Sequence, residues 1–215
     1  MTKNNIISHD ETLGAKQSDT KLRIIDVATM LFANRGFEGA SVREIAKIAD
    51  VNLAAINYHF SNKQNLYHAV LRNGLMRFNQ EIKELANEKN RTTSEFATAL
   101  YAMMIANGAR LINNFKVLLN DYPFPQDLVI KDQAGPPGSE ELLKTMEQEL
   151  GKQLSPEDGQ WAVRVLFTFV SHTALMASTH YGQQKCGLIF NQQLVEENIK
   201  RLVSVLLEDL KNRTH

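Results

Sequence analysis

The chain has 215 residues, a formal net charge of zero from 24 basic and 24 acidic side chains, and 43% apolar residues. That is enough for a packed core and too much for wholesale disorder. No apolar run approaches the ~18 residues of a membrane span, and the only cysteine, Cys186, excludes an intrachain disulfide and a thiolate zinc site. The opening residues lack a charged segment followed by an apolar one, so no secretory signal is expected and a reduced, cytoplasmic setting fits.

Residues 1–18 are polar, lack a helical period and are expected to form a mobile arm. From Thr20 onward, Ile24, Ile25, Ala28, Leu31 and Phe32 recur at spacings of three and four, which predicts a helix with one buried face. Arg35-Gly36-Phe37 ends it, with Gly36 in the left-handed cap position. Ser41-Val42-Arg43-Glu44 reads as a capping box for a second, short helix whose inner face carries Ile45, Ala46 and Ala49. After a tight break at Asp50-Val51, Asn52 caps a third helix over 53–60. Ser61 or Asn62 caps a fourth, which starts near Lys63 and runs without proline to about Glu88.

Beyond that point the spacing predicts a long apolar helix over 94–120, stopped by Tyr122-Pro123-Phe124-Pro125, then a short turn over 127–130 and a loop at 134–138. Further helices are predicted over 139–150, over 157–181 after the start signal Ser155-Pro156-Glu157-Asp158, and over 191–210, with a loop at 183–190. No strand and no internal repeat emerges, so the fold class is all-α.

The informative unit lies within the first third of the chain. Its second and third helices are each about two turns long and joined by Ala49-Asp50-Val51, the pattern of a helix-turn-helix. Between Lys21 and Leu75 there are seven basic and four acidic residues, so the remainder of this neutral chain carries the compensating excess of acid. In the third helix Ile56 and Phe60 are four apart and can anchor it, which leaves Leu53, Ala54, Ala55, Asn57, Tyr58 and His59 on its other faces. Small alanines permit close approach and can meet a thymine methyl, Asn57 can read a base edge or hold a phosphate, and Tyr58 and His59 can hydrogen-bond phosphates. Lys63 stands at a helix N-terminus, a natural phosphate position.

Over Ala28-Thr29-Met30-Leu31-Phe32, Arg35 to Ala46 and Ala49 to Lys63 the sequence resembles the TetR family of bacterial transcriptional regulators. About 45 residues carry the resemblance, with Asp50 where glycine is common. It implies a homodimer that places its third helices in successive major grooves of a palindromic operator, with Arg43, Ala54, Ala55, Asn57, Tyr58, His59 and Lys63 as DNA contacts. It also implies a repressor that releases DNA when a small molecule enters the C-terminal domain. The expected organisation is an arm over 1–18, a three-helix DNA-binding domain over 19–66 and a larger helical ligand-binding and dimerisation domain over 67–215.

In the larger domain a ligand pocket is expected between the 94–120 and 157–181 helices. Met103, Phe115 and Trp161 supply apolar walls and Asn107, Arg110, Arg164, Thr168 and His172 polar fixing points. The last two long helices are broadly apolar, and the family usually builds a four-helix dimer bundle from them. Phe167, Val170, Leu202 and Leu206 are the expected interface. No metal-ligand spacing, nucleophile elbow or phosphate cradle is present, so neither a metal, a cofactor nor an enzyme activity is expected. An activator of the same fold and a helical sensor or carrier of hydrophobic small molecules that binds no DNA are the alternative functions.

Overall fold

The computed structural model describes residues 7–87, 91–120, 136–185 and 190–213, with side chains from residue 18 onward apart from Lys185. Its elements are α1 (Ile7–Gly39), α2 (Val42–Ile48), α3 (Leu53–Phe60), α4 (Lys63–Ala86), α5 (Thr93–Ala106), α6 (Gly108–Leu118), α7 (Ser139–Leu150), α8 (Pro156–Ser178), α9 (His180–Lys185) and α10 (Gln192–Asn212). The described residues contain no strand, and none of their helices is long and apolar enough to cross a membrane. The predicted turn over 127–130, the proline stop after Asn120 and Cys186 lie outside the described residues.

Two compact units emerge. The first comprises residues 1–74 and 113–128, the second residues 75–112 and 129–215. This differs from the expected division at residue 66, because residues 67–74 of α4 and the C-terminal half of α6 belong with the first helices. The core of the first unit holds Ile24, Ile25, Ala28, Leu31 and Phe32 of α1, Ile45 and Ala46 of α2, Ile56 and Phe60 of α3, and Leu66, Tyr67 and Val70 of α4. Phe32 and Phe37 each meet the Tyr67 ring edge-on, with centroids 5.0 and 5.4 Å away. The Tyr67 hydroxyl donates a buried hydrogen bond of 2.8 Å to the carbonyl of Val117, near the C-terminus of α6 where helix carbonyls lack intrahelical partners. Asn120 Nδ2 donates to the carbonyl of Phe32 at 3.0 Å, a second tie between α6 and α1.

In the second unit α5 packs chiefly on α8, and α7 and α10 pack on both. The buried line of α8 is Ala162, Val163, Leu166, Val170 and Ala174, and that of α10 is Val195, Ile199, Val203, Leu206 and Leu210. Arg213 fastens the end of α10 to α8, with Nη1 2.6 Å from Asp158 Oδ1 and the guanidinium 5.2 Å from the Trp161 ring.

Several local expectations are corrected. The first helix begins at Ile7, so residues 7–18 are not the non-helical arm expected there, and residues 1–6 lie outside the described range. Gly36 kinks α1 with φ 69° and ψ 178°, so its φ is positive but its ψ is extended rather than left-handed helical. Ser41 occupies the N-cap of α2 without a side-chain cap bond, and the Glu44 carboxylate pairs with Arg35, 2.6 Å away. The single helix predicted over 94–120 is two helices. Asn107 ends α5, and its Nδ2 donates back to the Met103 carbonyl. Gly108 then begins α6 against Ser178, whose Oγ would lie only 2.6 Å from any Cβ placed there. The loop predicted over 183–190 is helical as far as Lys185.

Candidate nucleic-acid interface

The interface is built from α2, the turn and α3. The turn closes with Val51 N–H donating to the Ala46 carbonyl at 3.0 Å, and Asp50 adopts φ 51°. Aspartate tolerates that left-handed geometry, so no glycine is needed there. Asn52 Oδ1 accepts from Ala55 N–H at 2.7 Å and starts α3. Ser61, with φ 64°, stops it, and Asn62 caps α4 by accepting from Asn65 N–H at 2.8 Å.

Burial orients α3. Ile56 and Phe60 are 1% and 4% exposed and lock one face into the core, as their spacing predicts. Leu53, Ala54, Asn57 and Tyr58 are exposed, whereas Ala55 and His59 are half-buried. Tyr58 is the most open of the large side chains on α3, at 74%. Its ring meets His59 edge-on at 5.2 Å, which limits its rotamers without occupying its hydroxyl. Eight residues make α3 about 12 Å long, close to the ~12 Å width of the B-DNA major groove. Arg43 is exposed on α2, and so is Lys47 one turn later. Sequence reasoning passed over Lys47, although its i,i+4 relation to Arg43 was a readable signal.

Lys63 departs from the simple phosphate position expected of it. It is half-buried, its Nζ donates to the Glu38 carbonyl at 3.3 Å, and it lies 4.5 Å from the Phe37 ring centroid. One of its three N–H groups is thereby committed to the unit itself.

The residues expected to form a ligand pocket divide between the two units. Phe115 falls in the first unit, whereas the other seven fall in the second. Arg110 is engaged, with Nη2 2.6 and 2.7 Å from the two carboxylate oxygens of Glu81, so it is not a free anion-binding group. Met103 is half-buried and accepts from Asn107 through its carbonyl. Trp161, Arg164, Thr168 and His172 lie on the exposed face of α8. Their three- and four-residue spacing is the outer counterpart of the buried 163–166–170–174 line.

The expected dimer contacts differ in burial. Val170 and Leu206 are 0% and 3% exposed within one subunit and belong to its core, while Phe167 and Leu202 are half-buried. The large apolar side chains that α8 and α10 leave exposed are Trp161, Leu194 and Val205.

Comparison with known proteins agrees with this geometry. Residues 24–70 match the family model described as bacterial regulatory proteins, tetR family. A probable HTH-type transcriptional regulator of Bacillus subtilis, YttP, is 60% identical over 47 residues, 22% of this chain and 23% of that protein. The HTH-type transcriptional repressor AcnR of Corynebacterium glutamicum is 32% identical over 71 residues, 33% of this chain and 38% of that protein. IcaR of Staphylococcus aureus, a negative transcriptional regulator of a biofilm operon, is 27% identical over 100 residues, 46% of this chain and 54% of that protein. The matched segments thus span from a quarter to about half the length of these curated relatives. Among solved structures, the fatty acid degradation regulator FadR of Bacillus halodurans aligns over 90% of this chain and 97% of its own, with a TM-score of 0.60 and 22% identity. A transcriptional regulator of Pseudomonas aeruginosa aligns over 91% and 93%, with a TM-score of 0.63 and 15% identity, a likeness of fold.

Proposed function

Starting from a chain that belongs to the TetR family of bacterial regulatory proteins by its residues 24–70, we propose that it is a ligand-responsive, DNA-binding transcriptional repressor acting in the cytoplasm. The observation that carries this reading is the recognition helix. Ile56 and Phe60 hold α3 from below, and the exposed Ala54, Asn57 and Tyr58 form a contiguous face of groove-sized length. Repression rather than activation is favoured by the relatives AcnR, a repressor, and IcaR, a negative regulator.

A homodimer would set one α3 in each of two successive major grooves of a palindrome. Ala54 and Ala55 bring the backbone close to the base edges, Asn57 reads or anchors, and Tyr58 and His59 bond phosphates. Arg43 and Lys47 add the sequence-independent attraction that a chain of zero net charge must supply locally. The outer faces of α8 and α10, carrying Trp161, Leu194 and Val205, would pair between subunits and remove exposed apolar surface from water. An effector releases DNA by binding more tightly to a dimer whose reading heads are wrongly spaced, and its differential affinity sets the size of the response.

The test is fluorescence anisotropy on DNA selected by the protein from a random pool, followed across a salt series. Saturable binding to a palindrome that resists nonspecific competitor and weakens with salt is the expected result. Failure to select any sequence overturns the reading in favour of a helical carrier.

A further inference from the structure

The end of α10 is fastened to the start of α8 by one cluster of side chains, all of it within the second unit. Arg213 Nη1 lies 2.6 Å from Asp158 Oδ1, and its Nε lies 2.9 Å from Asp209 Oδ2. The other oxygen of Asp158 accepts from the Ser155 hydroxyl at 2.9 Å. Lys152 Nζ donates to the Arg213 carbonyl at 3.0 Å, where a helix end offers acceptors without intrahelical partners. The Asp158 side chain is only 12% exposed, and a carboxylate so far out of water is costly without a bound cation.

These bonds aim the guanidinium. Two of its nitrogens are held by carboxylates, and its carbon sits over the Trp161 ring, 5.2 Å from the centroid. Arg213 therefore backs the indole, while Trp161 keeps 42% of its surface exposed. Trp161 is the only tryptophan of the chain, and it opens the exposed line of α8 that continues through Arg164, Thr168 and His172. On α10, Leu194, Asn198, Arg201, Val205 and Glu208 are exposed at alternating spacings of four and three. That period of 3.5 keeps one seam turned toward a partner helix. An indole backed on one side and open on the other is the kind of anchor that dominates such contacts.

We propose that Trp161 anchors the contact with a second copy of this chain and that Arg213 is the residue that positions it. The inference rests on the homodimer reading above and names the residues that set its strength. Asp158 acts through Arg213, and Arg213 acts through the ring.

The test mixes tagged and untagged full-length chains and follows mixed dimers by native mass spectrometry. Light scattering gives the mass, and acrylamide quenching reads the single indole. Wild type should be a dimer whose indole is quenched several-fold less than in urea. Arg213→Gln should exchange subunits about tenfold faster at unchanged helicity, a factor of about three from each of two symmetry-related anchors, with quenching about twofold higher. Arg213→Lys keeps a charge for Asp158 but lacks the planar guanidinium, so exchange should remain fast, and full rescue by lysine would overturn the positioning role. Trp161→Leu should also accelerate exchange, and adding Arg213→Gln to it should change little further; additive effects would show that Arg213 does not act through the ring. A wild-type monomer overturns the homodimer reading and the anchor with it. A wild-type dimer whose indole is as open to acrylamide as in urea, or whose exchange Trp161→Leu leaves unchanged, overturns the anchor alone.

Discussion

Replacing Asn57 and Tyr58 together by alanine isolates the recognition face from the fold. Tyr58 is 74% exposed and Asn57 is exposed, and neither contributes to the core of the first unit. Exposed substitutions of this kind change stability by about 0.5 kcal/mol or less each. For a chain of this length that moves the melting temperature by only ~1–4 °C in total. The loss on DNA is of another order. A tyrosine hydroxyl on a charged phosphate contributes about 1.5 kcal/mol and an asparagine contact about 1 kcal/mol. A two-fold dimer makes each contact twice, so ~5 kcal/mol disappears, a thousand- to ten-thousand-fold loss of operator affinity. Anisotropy at fixed salt measures the affinity, and light scattering with circular dichroism verifies mass and helicity. Affinity within tenfold of wild type, in a variant with unchanged mass and helicity, would refute the assignment of α3 as the reading helix.

Tyr67→Phe keeps the ring between Phe32 and Phe37 and leaves the Val117 carbonyl with only its 3.2 Å bond from Asn120 N–H, so it should cost about 0.5–1.5 kcal/mol in urea denaturation at unchanged m; no measurable cost would show that the bond is not a structural tie. Val205→Glu sets a charge on an exposed apolar position of α10 and should halve the mass in light scattering while preserving helicity, whereas a charge at the buried Leu206 should unfold the subunit. The Thr92 backbone N–H, and then its hydroxyl, hold the Glu95 carboxyl below the usual glutamate range. Its contribution is therefore present above the unfolded-state pKa and fades as pH falls through the folded one, so wild type should lose stability through acid titration more steeply than Glu95→Gln. Parallel acid profiles of the two would contradict the capping box.

The helix-turn-helix was legible because its signals are local. Ile56 and Phe60 are four apart on one helix, Asn52 caps three residues ahead, and the turn between α2 and α3 is closed by neighbours. What escaped was set by distant partners. Lys63 reaches Glu38 across 25 positions and Arg110 reaches Glu81 across 29, so neither commitment has a sequence signature. Asn107-Gly108 was readable as a break, but the apolar run on both sides outweighed it. On α8 both faces carry large apolar residues, and only the packing of α5 and α10 decides that Val170 faces inward while Trp161 and His172 face outward. For that reason Val170 and Leu206 read as interface in the sequence although they are buried within the chain, and Trp161, Arg164, Thr168 and His172 read as pocket residues although they are exposed.

The tie from Tyr67 to Val117 also bears on how the protein is made. The first unit needs a segment about fifty residues downstream of its own last core helix turn, so it is discontinuous in the chain. During synthesis, at roughly 5–20 residues per second, α1 to α3 emerge well before α6 can supply its partner groups. Until Asn120 clears the ribosome, the Phe32 carbonyl lacks its donor and the Tyr67 hydroxyl its acceptor. A nascent chain of 75 or 100 residues therefore carries the whole of α1 to α3 before the C-terminal half of α6, which belongs to the same unit, has been made.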